Sequence, residues 1–286
     1  MNGFEVIDAA GIELGEHPIW DQGRQRVGWV DVFAGELRWV GGEDVDSWRL
    51  PAPLGAAALR RAGGVVAAAG DGIHFRDVAG QPDREPIVGL LGSGVRFNDG
   101  ACDPQGNFVC GTTSLDGAPG RGELYRVSPD AEVETLASGI TESNGVAWSS
   151  DGETMYYVDS GEPVIRRYRY GRGALPQRVE DLCAIPAGAG VPDGICVDAE
   201  GAIWVGIWEG GELWRVAPDG GVLEVVEAPV SRPTCPGFGG PGLNRLFVAS
   251  AWEGMDASER DAEPWAGHLL AYEPQVPGAP APAYAG

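Results

Sequence analysis

The sequence has no apolar run close to the roughly 20 residues that a membrane-spanning helix requires. Its N-terminus lacks the basic and apolar regions of a secretory signal peptide. No long stretch repeats apolar residues every 3.6 positions between capping residues, so we expect little helix. These absences argue against a membrane partner and favour a cytoplasmic protein.

Basic residues are also scarce. The chain has 20 Lys and Arg against 42 Asp and Glu, which gives a formal net charge of −22. Binding to nucleic acid or to an acidic membrane would require a basic face, so we expect neither. The acidic surface mainly favours solubility, and it would repel a polyanionic substrate.

The residues of several common catalytic and redox sites are few. Five cysteines are present, an odd number, without a Cys-x-x-Cys pair. Buried free thiols in a reducing cytosol are the simplest interpretation, although Cys102 and Cys110 could face each other across a hairpin. The three histidines are scattered, so we interpret His17, His74 and His268 as structural. No Gly-x-Ser-x-Gly motif is present to supply a serine nucleophile.

What the sequence does contain is a repeat, in which a turn is followed by an apolar strand. The turn glycines recur roughly every 40–50 residues, the period of a four-stranded propeller blade. The predicted strands are Val27 to Val32, Val65 to Ala69, Phe108 to Thr112, Met155 to Asp159, Ile203 to Ile207 and Leu246 to Ser250. Frequent turns also account for the 46 glycines and 22 prolines.

Six copies predict an all-β, six-bladed β-propeller that forms one domain over residues 1–286, with 276–286 as an extended C-terminal tail. Further strands of the blades are predicted at Glu123 to Val127, Val164 to Tyr168, Glu212 to Val216 and Val222 to Val226. Closure of the ring usually requires the chain ends to share a blade, and we expect Phe4 to Ala9 to pair with His268 to Tyr272. A β-sandwich or barrel is the alternative, but neither requires so regular a period.

Four short segments place an oxygen-bearing side chain just before the predicted blades. They are Leu14 to Pro18, Arg96 to Gly100, Ser143 to Val146 and Val191 to Gly194. Glu16, Asn144 and Asp193 are hard oxygen donors that suit a divalent cation. Loops from every blade gather at one end of a propeller, which would bring these distant residues to one polar site.

The same segments resemble the family that includes regucalcin (senescence marker protein), gluconolactonases and the luciferin-regenerating enzyme. The matching stretches are Gly15 to Trp20, Arg96 to Gly100, Asp103 to Gly106, Ser143 to Gly145, Pro192 to Asp198, Phe238 to Gly240 and Tyr284 to Gly286. They occur in order and span essentially the whole chain.

This resemblance implies a six-bladed propeller with one divalent cation at its centre. It implies Glu16, Asn144 and Asp193 as metal ligands, Arg96 and Asn98 as substrate contacts, and Asp193 also as the catalytic acid/base. The metal differs among relatives, so Ca²⁺, Zn²⁺, Mn²⁺, Mg²⁺ and Fe²⁺ remain open. In some relatives a longer acidic loop contacts the substrate, and Asp116 is our candidate for that role here.

The implied activity is hydrolysis of a sugar lactone, a small cyclic ester, by a monomer or a small homo-oligomer. A bound cation polarises the lactone carbonyl and activates water, while Asp193 takes a proton. Each residue has an alternative: Asn144 and Asp193 precede glycine in common turn dipeptides, Asp99 fits a structural turn, and Asp159 could simply end its strand. Another ester or phosphotriester substrate, or a binding propeller without catalysis, are the competing functions.

Overall fold

The structure is a computed structural model that describes residues 3–41, 44–77 and 86–286. Six four-stranded antiparallel sheets form the blades of a propeller, and the innermost strands of neighbouring blades contact one another around a closed ring. This confirms the predicted six-bladed β-propeller. The predicted run Val65 to Ala69 is a strand with the same bounds, as is Glu212 to Val216.

Blades one to five follow the chain, each from its innermost to its outermost strand. Blade one contains β2 (Gly15–Asp21), β3 (Arg26–Asp31), β4 (Glu36–Gly41) and β5 (Asp44–Arg49). Blade two contains β6 (Leu54–Leu59), β7 (Val65–Ala69), β8 (Gly72–Arg76) and β9 (Val88–Gly89). Blade three contains β10 (Val95–Cys102), β11 (Phe108–Ser114), β12 (Gly122–Val127) and β13 (Val133–Ile140). Blade four contains β14 (Ser143–Trp148), β15 (Thr154–Asp159), β16 (Glu162–Arg169) and β17 (Gln177–Ala184). Blade five contains β18 (Val191–Val197), β19 (Ile203–Trp208), β20 (Glu212–Val216) and β21 (Val222–Glu227).

Blade six is built from both ends of the chain. It contains β22 (Pro233–Gly239), β23 (Arg245–Ser250), β24 (Leu269–Tyr272) and, at its outer edge, β1 (Glu5–Asp8). Strand β1 pairs antiparallel with β24, with Glu5 opposite Ala271 and Val6 opposite Leu270. The predicted closure by pairing of the two termini is therefore confirmed.

Helix content is low, as expected. In the described ranges there is one α-helix, α1 (Ala257–Ala262), with a capping box formed by Asp256 and Glu259, and one 3₁₀ turn, Pro241–Leu243. No helix among these residues is long and apolar enough to cross a membrane.

The core is divided into six apolar clusters, one at each interface between neighbouring blades. The cluster between blades one and two, for example, packs Trp39 against Leu54 and Val65, all almost fully buried. Burying a side chain of this size stabilises the fold by about 1.5–3 kcal/mol. Because each cluster draws on two blades, the apolar runs hold the ring together and fix the axis on which the innermost strands meet.

All five cysteines are free. Cys102 pairs with Phe108 across the β10–β11 hairpin, whereas Cys110 pairs with Gly100. The two cysteines are therefore out of register with each other, and the disulfide alternative does not hold.

Residues 276–286 run extended across the end of the ring at which the innermost strands finish. The Tyr284 side chain is fully buried among apolar residues of blades two and three. Its hydroxyl donates to the Ser128 carbonyl at 2.6 Å, and its backbone nitrogen donates to the Leu59 carbonyl at 2.9 Å. The tail is thus packed against the end of the propeller at which the innermost strands finish.

Candidate functional site

The four sequence-predicted segments form the first residues of innermost strands, and each contains a β-bulge. In each of these strands, two residues at the bulge lie opposite one residue of the partner strand. The shifts lie between Glu16 and Ile19 in β2, Phe97 and Gly100 in β10, Ser143 and Val146 in β14, and Pro192 and Ile195 in β18. Bulges locally re-aim side chains and recur beside active sites. The expectation that these segments precede the strands is thus corrected, since they are bulged strand residues.

The glycines after Asn144 and Asp193 serve close packing around the axis. A Cβ on Gly145 would lie 2.6 Å from the Ile195 nitrogen, and a Cβ on Gly194 would lie 2.5 Å from the sulfur of Cys235. Both distances are too short for a side chain. The Asn-Gly and Asp-Gly dipeptides are therefore required by the approach of neighbouring strands, and the turn alternative does not apply.

Hydrogen bonds fix the orientation of the Asn144 amide. Its Nδ2 donates to the Ser160 hydroxyl at 2.7 Å, and that hydroxyl donates to the Pro192 carbonyl at 2.7 Å. The Asn144 Oδ1 accepts from Asn98 Nδ2 at 2.8 Å. Because its nitrogen is engaged by Ser160, the oxygen of Asn144 is the atom presented on the other side of the amide, as a cation ligand must be.

Asn98 and Arg96 form the neighbouring part of the site. Asn98 Nδ2 also donates to the Ser143 carbonyl at 2.9 Å, and its Oδ1 accepts from Arg96 Nη1 at 2.5 Å. Asn98 thus contacts both Arg96 and a predicted metal ligand, and its role in substrate binding stays a prediction.

Two acids at the site are strongly perturbed. Glu16 and Asp193 are 7% and 5% exposed. Burial raises the pKa of Glu16 well above its usual value, and the charges of Asp193 and Asp99 add to the effect. Burial, followed by the charge of Glu142, raises the pKa of Asp193 in the same way. Burial together with repulsion between carboxylates favours either protonation of these acids or a bound cation.

The donor set fits a divalent cation. Two carboxylates and one amide oxygen are hard ligands, and neighbouring carboxylates add to the burial that raises the pKa values of Glu16 and Asp193. The charge of Arg96 lowers both pKa values, but this effect is smaller than the effects of burial and of the neighbouring carboxylates that raise them. Glu16, Asn144 and Asp193 stay the predicted ligands of that cation.

Sequence reasoning missed two acids near Arg96. Burial lowers the pKa of Arg96, and the charge of Glu253, then that of Glu142, opposes this shift. Burial raises the pKa of both glutamates. Asp159 holds the Glu142 segment by accepting its backbone N–H at 2.9 Å. Glu142 could have been proposed from the sequence, because it lies two residues before the predicted ligand Asn144.

Asp116 lies on the loop after β11, at the same end of the blade as the start of β10. Its carboxylate is exposed, accepts the Ala118 backbone N–H at 3.1 Å and pairs with Arg121 at 3.1 Å. The backbone hydrogen bond from Ala118 lowers its pKa. Its predicted role in substrate binding stays a prediction.

Comparison with known proteins identifies the family. A model described as the SMP-30/gluconolactonase/LRE-like region matches residues 14–252. A 6-deoxy-6-sulfogluconolactonase from Pseudomonas putida is 34% identical over 277 residues, covering 96% of this chain and 95% of the relative. A regucalcin from Xenopus laevis is 31% identical, covering 93% of this chain and 92% of the relative. The structure of a calcium-binding protein, regucalcin, from Agrobacterium tumefaciens superposes with a TM-score of 0.89 at 30% identity, covering 98% of this chain and 96% of the other.

Lactonases hydrolyse cyclic esters, so the name of the first relative agrees with the expected class of enzyme. This chain belongs to the SMP-30/gluconolactonase/LRE-like family.

Proposed function

We propose that this chain is a divalent-metal-dependent lactonase that hydrolyses a sugar lactone to the aldonic acid. The observation that carries the proposal is the pair of buried acids, Glu16 and Asp193, whose pKa values are raised by burial and by neighbouring negative charge. They accompany the oriented amide of Asn144. A relative that is similar over nearly its full length is named as a sugar lactonase.

In this mechanism Glu16, Asn144 and Asp193 would hold the cation, and the bound cation would supply Lewis-acid polarisation of the lactone carbonyl. Arg96 and Asn98 orient the substrate, because the guanidinium presents a fork of donors and the amide both donates and accepts. Asp193 accepts a proton from the attacking water. It then returns the proton to the ring oxygen as the ester C–O bond breaks, which leaves the hydroxy acid.

The charges around Arg96 favour a neutral sugar ring. Glu142 and Glu253 interact with Arg96, and each has a pKa raised by burial. An acidic group on the substrate would be repelled by these carboxylates. We therefore expect kcat/KM to be lower for an acidic aldonolactone than for its neutral counterpart.

The direct test is a pH-indicator assay on a panel of five- and six-membered aldonolactones. The protein is first treated with chelator, and each of Ca²⁺, Zn²⁺, Mn²⁺, Mg²⁺ and Fe²⁺ is then supplied. Such lactones open spontaneously, so the rate must exceed a blank that contains the metal alone. Glu16→Gln removes a ligand charge at constant volume and should abolish the metal-dependent rate. Glu180→Gln, at an exposed ion pair with Arg167, is the matched control.

The alternatives give different results in the same experiment. Metal-dependent hydrolysis of other esters or of phosphotriesters, without acceleration on any aldonolactone, would indicate a related hydrolase. Metal binding without hydrolysis of any of these substrates would indicate a non-catalytic binding propeller. Either result would refute the proposed lactonase.

A further inference from the structure

A second cluster of side chains that could bind a metal lies on the axis. Its members lie in the bulges of three innermost strands. His17 follows Glu16 in β2, Asp99 follows Asn98 in β10, and Cys235 lies in the bulge of β22. One ligand atom from each residue lies within 4.8 Å of the other two. The three residues come from blades one, three and six, so the cluster spans the centre of the ring.

The cluster is buried, and His17 and Cys235 offer ligand atoms with a weak partner or none, whereas Asp99 Oδ1 accepts the Gly100 backbone N–H at 2.5 Å. His17, Asp99 and Cys235 are 9%, 5% and 6% exposed. The Nδ1 atom of His17 lies 3.2 Å from Asp99 Oδ1, yet it is a buried nitrogen without a hydrogen-bond partner. The Cys235 sulfur makes only a weak contact, 3.6 Å from the Pro236 carbonyl oxygen. Buried polar atoms are rarely left in this state, so His17 Nδ1 points to a missing partner.

A cavity leads to the cluster from the face opposite Glu16. It has a volume of about 480 Å³ and is lined by His17, Cys235 and the later residues of the innermost strands, such as Ala57 and Ile195. Residues 279–283 of the C-terminal tail also line it. The cavity gives an ion an entry path and leaves room for a fourth ligand, as a metal site requires.

We propose that His17 Nδ1, the Asp99 carboxylate and Cys235 Sγ bind a second divalent ion of the Zn²⁺ type. This site is distinct from the site of Glu16, Asn144 and Asp193 and extends beyond the proposed hydrolysis. Nitrogen, oxygen and sulfur ligands together select a borderline transition ion, whereas Ca²⁺ and Mg²⁺ prefer oxygen alone. With bonds of about 2.0–2.3 Å the ligand atoms of a tetrahedral ion lie roughly 3.3–3.8 Å apart, so a pair at the 4.8 Å limit must approach by at most about 1.5 Å. Binding displaces the thiol proton of Cys235 to solvent.

Cobalt(II) is the probe, because a cobalt–thiolate bond gives a charge-transfer band that oxygen ligands do not give. The full-length protein is freed of metal with chelator and titrated with Co²⁺. We expect a thiolate band that saturates at one ion per chain. The band should disappear in Cys235→Ala and remain in Cys196→Ala, which removes a thiol from the same cavity but outside the cluster. It should also remain in Glu16→Gln, because that variant disables only the other site.

Two further variants keep the test decisive if Cys235→Ala does not fold. His17→Gln and Asp99→Asn should each weaken the Co²⁺ affinity of the thiolate site at least about tenfold. The proposal is overturned if wild type shows no thiolate band, if the band survives in Cys235→Ala, or if Cys196→Ala loses it equally. Unchanged Co²⁺ affinity in both His17→Gln and Asp99→Asn also overturns it, and would leave His17 and Asp99 as a structural pair.

Discussion

Ser160 offers the sharpest test of how the candidate metal site is built. Its hydroxyl accepts from Asn144 Nδ2 and donates to the Pro192 carbonyl, both at 2.7 Å. Pro192 directly precedes Asp193, so one buried hydroxyl connects two predicted ligands on neighbouring blades. Ser160→Ala removes both hydrogen bonds and leaves the Asn144 amide held by the Asn98 Nδ2 hydrogen bond alone.

The expected magnitude follows from these contacts. Loss of a group that orients a metal ligand typically weakens metal affinity 10–100-fold, which corresponds to about 1.4–2.8 kcal/mol. In Ser160→Ala the buried Asn144 nitrogen and the buried Pro192 carbonyl each also lose a hydrogen-bond partner. The free energy of unfolding of the metal-free protein should therefore fall by about 1–3 kcal/mol.

The assay measures two quantities on one set of proteins. The metal Kd is obtained by competition with a chelating dye, and stability is obtained from denaturant unfolding in the presence of chelator. Ser250→Ala is the matched control, since the buried Ser250 hydroxyl donates to the His268 carbonyl at 2.8 Å in blade six. It should cost similar stability and leave the Kd unchanged.

The proposed role of Ser160 is refuted if Ser160→Ala binds metal with the wild-type Kd while losing stability. Equal losses of affinity in Ser160→Ala and Ser250→Ala would also refute it, because they would indicate general loosening of the propeller.

Three other outcomes are expected. Asp193→Asn keeps an oxygen ligand but loses the proton acceptor, so kcat should fall by ~10²-fold or more while metal analysis still finds bound ion; near-wild-type kcat would assign the proton transfer elsewhere. Asn98→Ala should raise KM and also weaken the metal Kd, because Asn98 Nδ2 donates to Asn144 Oδ1; a change in KM alone would contradict that link. In chelator, the raised pKa values of Glu16 and Asp193 mean that the folded chain binds more protons than the unfolded chain above the usual carboxyl pKa of about 4. The Tm should therefore fall as pH rises through this window, and more steeply in wild type than in Asp193→Asn; equal slopes would contradict the assignment.

The sequence was sufficient to predict the second strand of each blade. Runs such as Val65 to Ala69 are apolar and bounded by glycine turns, so local composition identifies them directly. The innermost strands were harder, because Asn98-Asp99-Gly100 and Asn144-Gly145 have turn-like composition. These residues form strands because they pack around the axis, and a local sequence pattern does not contain that information.

The supporting residues of the site were missed for a related reason. Ser160 lies 16 positions after Asn144 and meets it only because β14 and β15 pair with a bulge. Glu253 comes from the last blade, and its charge acts on Arg96 only when the ring is closed. Such contacts follow from register and closure, whereas Glu16, Asn144 and Asp193 could be proposed from the recurrence of their segments and from the family resemblance.

The bulges explain why two layers of ligand-type residues can exist on one axis. In a regular strand, side chains alternate between faces, so consecutive residues cannot both face the centre. The extra residue at each bulge breaks this alternation. In β2 it places His17 in the second cluster directly after Glu16 in the first. In β18 the following position is Gly194, which leaves room for Cys235 of the neighbouring blade. The side chains at the ring centre therefore depend on which residues each blade places at two successive positions at or next to its bulge, and in this chain β2 and β10 carry ligand-type side chains at both.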